Sequence, residues 1–124
     1  MRVVLDTNAL MAPVEAGVRT FEELDRLLGA HAPVVPRAVL EELDRLAAGA
    51  GEEATAASVG RDLARRECAR VDHESSYADD AVLEIGHRSE YAVTSDRPLR
   101  RRLLEADVPV ICLRGQTKFE ITEP

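Results

Sequence analysis

A chain of 124 residues is the size of one compact domain, and its 45% apolar content supplies a core. That core must be built from Val, Leu, Ile and Ala, because aromatics make up 3% and Trp is absent. The balance of 16 basic to 23 acidic residues gives a net charge of −7, which excludes a globally basic nucleic-acid binder but not a local basic patch.

The chain opens with the apolar run 2–5, a short strand ended by Asp6-Thr7-Asn8, a turn or helix-cap signal. Residues 20–29 follow a helical period, with Phe21, Leu24, Leu27 and Leu28 on one face. Thr20 and Glu23 have capping-box spacing, and Gly29 suits the C-terminal stop. A short strand around Val34-Val35 is closed by Pro36, and residues 37–48 form a helix with Val39, Leu40, Leu43, Leu46 and Ala47 inward. Residues 48–53 read as a loop, the softest stretch of the chain, and 53–67 as a helix weakened by Gly60. A strand over 69–73 precedes a helix over 78–88 with Ala78, Ala81, Val82 and Ile85 inward. Then come a strand over 91–94, a helix over 97–105 opened by Asp96, a buried strand over 108–113 and an alternating edge strand over 117–122. Strands alternating with helices imply an α/β fold with a parallel sheet, as one domain over residues 1–124.

Cys68 and Cys112 form no CxxC pair, which excludes a zinc ribbon, and two thiols are too few for a disulfide framework. Cys112, within Val110–Leu113, reads as a buried small hydrophobe. Asp6 interrupts the N-terminus before a signal-peptide core can form, and no apolar run is long enough to span a bilayer. A cytoplasmic protein without a membrane partner is expected. Lys118 is the only lysine. Acid excess with so little lysine fits a salt-adapted source, and codon bias in a GC-rich one explains it equally well.

Acidic residues stand at or near the ends of apolar runs: Asp6 in VVLDTN, Glu42 in VLEELDRL, Asp79 and Asp80 in YADDAV, and Asp96 in AVTSD. Each alone has an ordinary explanation. Asp6 and Asp96 suit helix N-caps, Asp79 and Asp80 suit a helix's positive end, and Glu42 suits a solvated helix flank. Glu42 lies beside the buried stripe of its helix and can reach over the sheet edge, whereas Glu41 points away. The joint pattern matters more. A parallel sheet brings its strand ends to one crevice, and carboxylates gathered there repel one another unless a cation sits among them. Mg²⁺ or Mn²⁺ favours oxygen ligands, and the expected chemistry is hydrolysis of a phosphodiester. Thr7, Asn8, Thr94 and Ser95 flank Asp6 and Asp96 as candidates for the outer shell. His31, His73 and His87 show no ligand spacing.

LDTN after the first strand, P-x-x-V-L-E-E-L on a helix, D-D-A opening another helix and T-S-D after a later strand together resemble the PIN-domain nucleases. The resemblance covers nearly the whole chain. From Ser95 to Ile121 it is similar to archaeal PIN proteins related to the eukaryotic small-subunit processome endonuclease. It implies a three-layer α/β/α sandwich with a mostly parallel sheet of about five strands. It also implies a metal-dependent RNA endonuclease leaving a 5′-phosphate and a 3′-hydroxyl. Carried over by residue, the catalytic and metal-binding set is Asp6, Glu42, Asp80 and Asp96, with Asn8, Thr94, Ser95 and Asp79 in support. Asp80 is preferred over Asp79 because it stands directly before Ala81; the interval to Asp96 is short for the family and keeps Asp79 open. Arg97, Arg100 and Arg101 suit the RNA backbone, or simply a solvated helix face.

The expected partner is RNA. The resemblance also implies a homodimer, to which a mobile segment at residues 48–60 can contribute, and a protein inhibitor or a ribosome-assembly partner. A nuclease for ribosomal RNA processing, the toxin of a toxin–antitoxin pair and a silent RNA-binding module all fit these motifs. Phosphatases that use a strand-end aspartate need a second acid where Asn8 stands, and receiver domains need paired acids at the first strand and a late lysine; both fit poorly.

Overall fold

The computed structural model describes residues 1–124. In chain order the elements are β1 (Arg2–Leu5), α1 (Thr7–Glu15), α2 (Thr20–Leu28), β2 (Ala32–Pro36), α3 (Arg37–Ala47), α4 (Gly51–Glu67), β3 (Ala69–Val71), α5 (Ala78–Gly86), β4 (Tyr91–Val93), α6 (Arg97–Glu105), β5 (Val110–Arg114) and β6 (Lys118–Thr122). The expected α/β sandwich is present, with six strands in the order β3-β2-β1-β4-β5-β6. All neighbours run parallel except β6, which pairs antiparallel to β5 at the edge.

Strand β1 lies at the centre, and Val3, Val4 and Leu5 are fully buried. From it the chain builds outward through β2 and β3, then returns to the other side for β4 and β5. The order therefore reverses between β1 and β4, the place where open α/β sheets leave a crevice at their carboxyl ends. Register sets Leu5 opposite Val93, so the residues that follow, Asp6 and Thr94, emerge side by side.

Helix α1 follows the second reading of the turn or helix-cap signal after β1, with Asp6 as its N-cap. Pro13 sits inside it and has no N–H to offer the Ala9 carbonyl one turn back. The Thr20 hydroxyl donates to that carbonyl instead, at 3.0 Å. This also corrects the capping box expected for α2: Arg19 is the N-cap, and Thr20 serves α1. Glu23 turns outward from its own helix end to accept the Phe119 N–H at 2.9 Å and a two-point bond from Arg26.

The loop expected over 48–53 shrinks, because α4 begins at Gly51, and the segment expected to be mobile is packed helix from there on. Ala54, Ala56, Ala57 and Gly60 are buried against α1 and the core. A methyl group at Gly60 would stand 2.5 Å from the Leu10 carbonyl oxygen, so glycine is what lets the two backbones cross in contact. Helix α3 has no cap from its own Pro36. His73 supplies one, its Nε2 accepting the Ala38 N–H at 3.0 Å. No helix is long and apolar enough to cross a membrane. Cys112 is buried, as its apolar neighbours predict.

Candidate active site

Asp6 stands where β1 ends and α1 begins, at the switch in strand order, and is 3% exposed. Its backbone N–H still pairs with Val93 at 3.2 Å, which extends the β1–β4 ladder by one bond. Its carboxylate has two partners, both neutral. One oxygen caps α1 by accepting the Ala9 N–H at 2.8 Å, and the other accepts the Thr94 hydroxyl. The capping role expected of Asp6 is therefore real, but surface capping does not require such burial. Burial pushes the carboxyl up from 3.8 to about 7; the two hydrogen bonds pull the other way, and the charges of Asp79 and Asp96 add to the rise.

The loops after β1 and β4 are stitched together around this group. The Thr94 hydroxyl, buried beside Asp6, also accepts the Asp96 N–H at 3.1 Å. The Asn8 side-chain oxygen accepts the Ser95 N–H at 3.0 Å, and the Ser95 hydroxyl accepts the Leu113 N–H at 3.0 Å. Asp96 caps α6 with one oxygen, which accepts the Leu99 N–H at 3.0 Å. Three adjacent strands are thus tied together at their carboxyl ends.

Glu42 lies half-buried on the flank of α3, as its place beside the buried stripe suggests. The adjacent pair on α5 separates. Asp79 faces Asp96 and Glu42, and burial followed by their charges raises its pKa. Asp80 faces α6, where the Arg102 guanidinium donates to it at 2.7 Å. Asp79, kept open beside the preferred Asp80, is thus the one of the pair that lines the cavity with the other acids. The two positions are about 100° apart on the helix, and the arginine on the neighbouring helix pairs with Asp80.

Asp6, Glu42, Asp79 and Asp96, from four separate parts of the chain, line one cavity of about 250 Å³. Glu15 and Glu53 line it too, and sequence reasoning missed both. Glu15 ends α1, of which the sequence shows only the cap signal at Asp6, and Glu53 lies in the first turn of α4, at the boundary between the stretch read as loop and the helix read from 53. The close crossing at Gly60 lets these two helices pack in contact. The Thr7 hydroxyl, buried without a hydrogen-bond partner, is a further oxygen on the cavity wall.

An all-oxygen donor set with an orphaned hydroxyl fits a hard divalent cation. No three of these acids converge closely enough to chelate an ion directly. Mg²⁺ suits that spacing, because it retains several waters and binds through one or two carboxylates. On the outer face of α6, Arg97, Arg100 and Arg101 line a shallow groove of about 440 Å³ with Leu104 and Glu105, while Arg102 is held by Asp80.

The chain matches the family described as PIN like domain over residues 3–116. It is 30% identical over 127 residues to Ribonuclease VapC4 of Methanocaldococcus jannaschii, which covers 97% of this chain and 95% of that protein. Its fold is similar to that of the PIN domain endonuclease Utp24, with a TM-score of 0.78, 22% identity, and coverage of 99% of this chain and 92% of the other. The resemblance read from the LDTN, EEL, DDA and TSD motifs is borne out by the family match and by the relative.

Proposed function

Because this chain belongs to the PIN-like domain family, we propose that it is a metal-dependent RNA endonuclease, formed as one domain, that leaves a 5′-phosphate and a 3′-hydroxyl. The observation that carries this reading is the gathering of Asp6, Glu42, Asp79 and Asp96 in one cavity at the switch in strand order. In this reading they are the catalytic ligands, and Asp79 takes the place first given to Asp80. A bound Mg²⁺ or Mn²⁺ supplies an activated water and offsets charge on the phosphodiester.

The chain's own residues prepare that chemistry. Asp6 is held rigidly by the Ala9 N–H and the Thr94 hydroxyl, so its orientation is set before any ligand arrives. Asn8, Thr94 and Ser95 keep the two loops at a fixed separation. Glu42 and Asp79 close the cavity from the helix side. Arg97, Arg100 and Arg101 offer guanidinium groups to the RNA backbone beside the acids.

We place the activity in processing of ribosomal or other structured RNA, on the motif resemblance from Ser95 to Ile121. A toxin restrained by a protein inhibitor would use the same cleft. Growth arrest on induction, relieved by a small co-expressed neighbour, would mark that role. The test of the activity is cleavage of a labelled structured RNA with Mn²⁺, with Mg²⁺ and with EDTA, by wild type, Asp6→Asn and Asp96→Asn. Metal-dependent cutting lost in both variants is the expected result. Cutting that persists in EDTA or in Asp6→Asn would overturn the assignment.

A further inference from the structure

Helix α3 begins at Pro36, which has no side-chain atom that can cap it. The acceptor comes from another part of the fold: His73 Nε2 takes the Ala38 N–H at 3.0 Å, across 35 residues of sequence. An accepting Nε2 leaves the proton of the neutral ring on Nδ1, and Nδ1 is buried without a partner. A buried donor left unpaired opposes stability, whereas Ser, Thr, Asp or Asn at position 36 would cap the helix without that cost. Helix stability alone therefore does not account for the histidine.

A cap supplied from a distance does what a local one cannot: it joins two helices. On the α3 side, the Arg37 guanidinium reaches the His73 carbonyl at 3.4 Å and the Asp72 carboxylate at 3.6 Å. On the α5 side, the Glu84 carboxylate accepts the N–H groups of Glu74 and Ser75 at 2.9 and 3.0 Å and the Ser75 hydroxyl at 2.7 Å. Residues 72–75 thus form a bracket between α3 and α5, which pack against each other. Each of these helices carries an acid of the cavity, Glu42 one turn past Ala38 and Asp79 in the first turn of α5. Asp6 and Asp96 are tethered directly by the bonds that cap α1 and α6. Glu42 and Asp79 lack such a tether, so the placing of their helices sets where they stand. We propose that His73 is a positioning residue for the acidic cleft: by capping α3 from the loop clasped to α5, it fixes Glu42 and Asp79 relative to each other and so sets the affinity for a divalent cation. This inference rests on the metal-dependent ribonuclease reading and concerns what holds two of its ligands.

His73→Phe keeps a ring and deletes the acceptor, and His73→Gln puts an amide oxygen within reach of the Ala38 N–H. In calorimetry, His73→Phe should weaken Mn²⁺ binding by about tenfold, the lower end of what losing an outer-shell partner does. At a fixed, subsaturating Mn²⁺ concentration its kcat should fall by a similar factor, while the KM for a structured RNA holds. His73→Gln should restore both. The deciding variant combines Pro36→Ser with His73→Phe, which gives α3 a cap of its own and leaves the bracket open. It should melt higher than His73→Phe, yet bind Mn²⁺ as weakly. Should His73→Phe alone not fold, the double variant is compared directly with wild type. Mn²⁺ affinity that is unchanged in His73→Phe, or that returns with the local cap, would overturn this inference and leave the ribonuclease reading intact. A wild-type chain that binds no Mn²⁺ and cuts no RNA would overturn both.

Discussion

Two carboxylates are buried in this fold, and their surroundings drive them in opposite directions. Glu23 is 7% exposed and meets a two-point bond from Arg26, the Phe119 N–H and, at 3.6 Å, the Lys118 ammonium. The Arg26 bonds and then the Phe119 N–H bring it down to about 2. Asp6 is 3% exposed and receives only two neutral donors, with Asp79 and Asp96 as charged neighbours, and burial drives it up to about 7. Glu23 has its cations built into the chain and clasps α2 to the antiparallel edge strand β6. Asp6 has none, an imbalance that agrees with the cation-binding role proposed for it.

Exchanging charge for an isosteric amide should divide the two sites most sharply at Asp6. Asp6→Asn is expected to lower metal-dependent RNA cleavage by about a hundredfold or more, read from single-turnover rates. Its metal-free form should also melt higher than wild type at pH 8. The folded chain holds the Asp6 proton up to about pH 7, the unfolded chain only to about 3.8. The group's contribution to stability is therefore fully present below 3.8 and is lost as pH rises through 7. The advantage of Asn should shrink steadily between pH 8 and pH 4. A pH-independent difference would show that Asp6 is not the group that titrates. By the same logic, Mn²⁺ should raise the wild-type melting temperature more at pH 8 than at pH 5, because cation and proton compete for one site.

At Glu23 the prediction reverses. Glu23→Ala leaves the Phe119 N–H unpaired and the Arg26 guanidinium with only the Phe119 carbonyl, and should cost about 2–4 kcal/mol in urea unfolding. The folded fraction should still cleave RNA, since β6 lies at the sheet edge away from the β1–β4 crevice. Loss of cleavage without loss of stability would break the distinction between the two carboxylates. A smaller effect is expected at Gly60, where an added methyl meets the Leu10 carbonyl across the α1–α4 crossing. Gly60→Ala should destabilise by about 1–3 kcal/mol and weaken Mn²⁺ binding in calorimetry, because α1 carries Asp6 at its head and Glu15 at its tail.

These sites differ in how far they could be read from residues alone. Asp6, Glu42 and Asp96 were legible because each follows from local periodicity: a buried run that ends, or a position beside an apolar stripe. Helix α1 showed only its cap signal at Asp6, and what satisfies the carbonyl opposite Pro13, the Thr20 hydroxyl on the Ala9 carbonyl, lies eleven residues away in another helix. The same bond dissolves the apparent capping box of α2, and Glu23, its other half, is spent on β6 ninety-six residues on. Asp79 and Asp80 could not be ranked by a helical wheel, since what separates them, the pairing of Asp80 with Arg102, comes from the next helix. Glu15 and Glu53 depend on a tight helix crossing, and a glycine that weakens a helix by propensity gave the opposite impression. Local signals identified the strand-end acids; contacts distant in sequence decided which others join them.

The finest test of the contrast removes one neutral donor from Asp6 and leaves the carboxylate in place. Thr94 is buried, donates its hydroxyl to Asp6 and accepts the Asp96 N–H. Thr94→Val keeps the shape and deletes both bonds. Because the Thr94 bond holds the Asp6 pKa down, its loss should move that pKa further up. Cleavage should fall by about tenfold at neutral pH, in the range seen when a ligand loses an outer-shell partner. The informative readout is the pH profile: the rise in kcat/KM should shift to higher pH, and Thr94→Ser should restore it. A fall in rate with an unmoved profile would mean that Thr94 only spaces the two loops, and that the burial of Asp6, not its hydrogen bonds, sets the pH at which the site becomes competent.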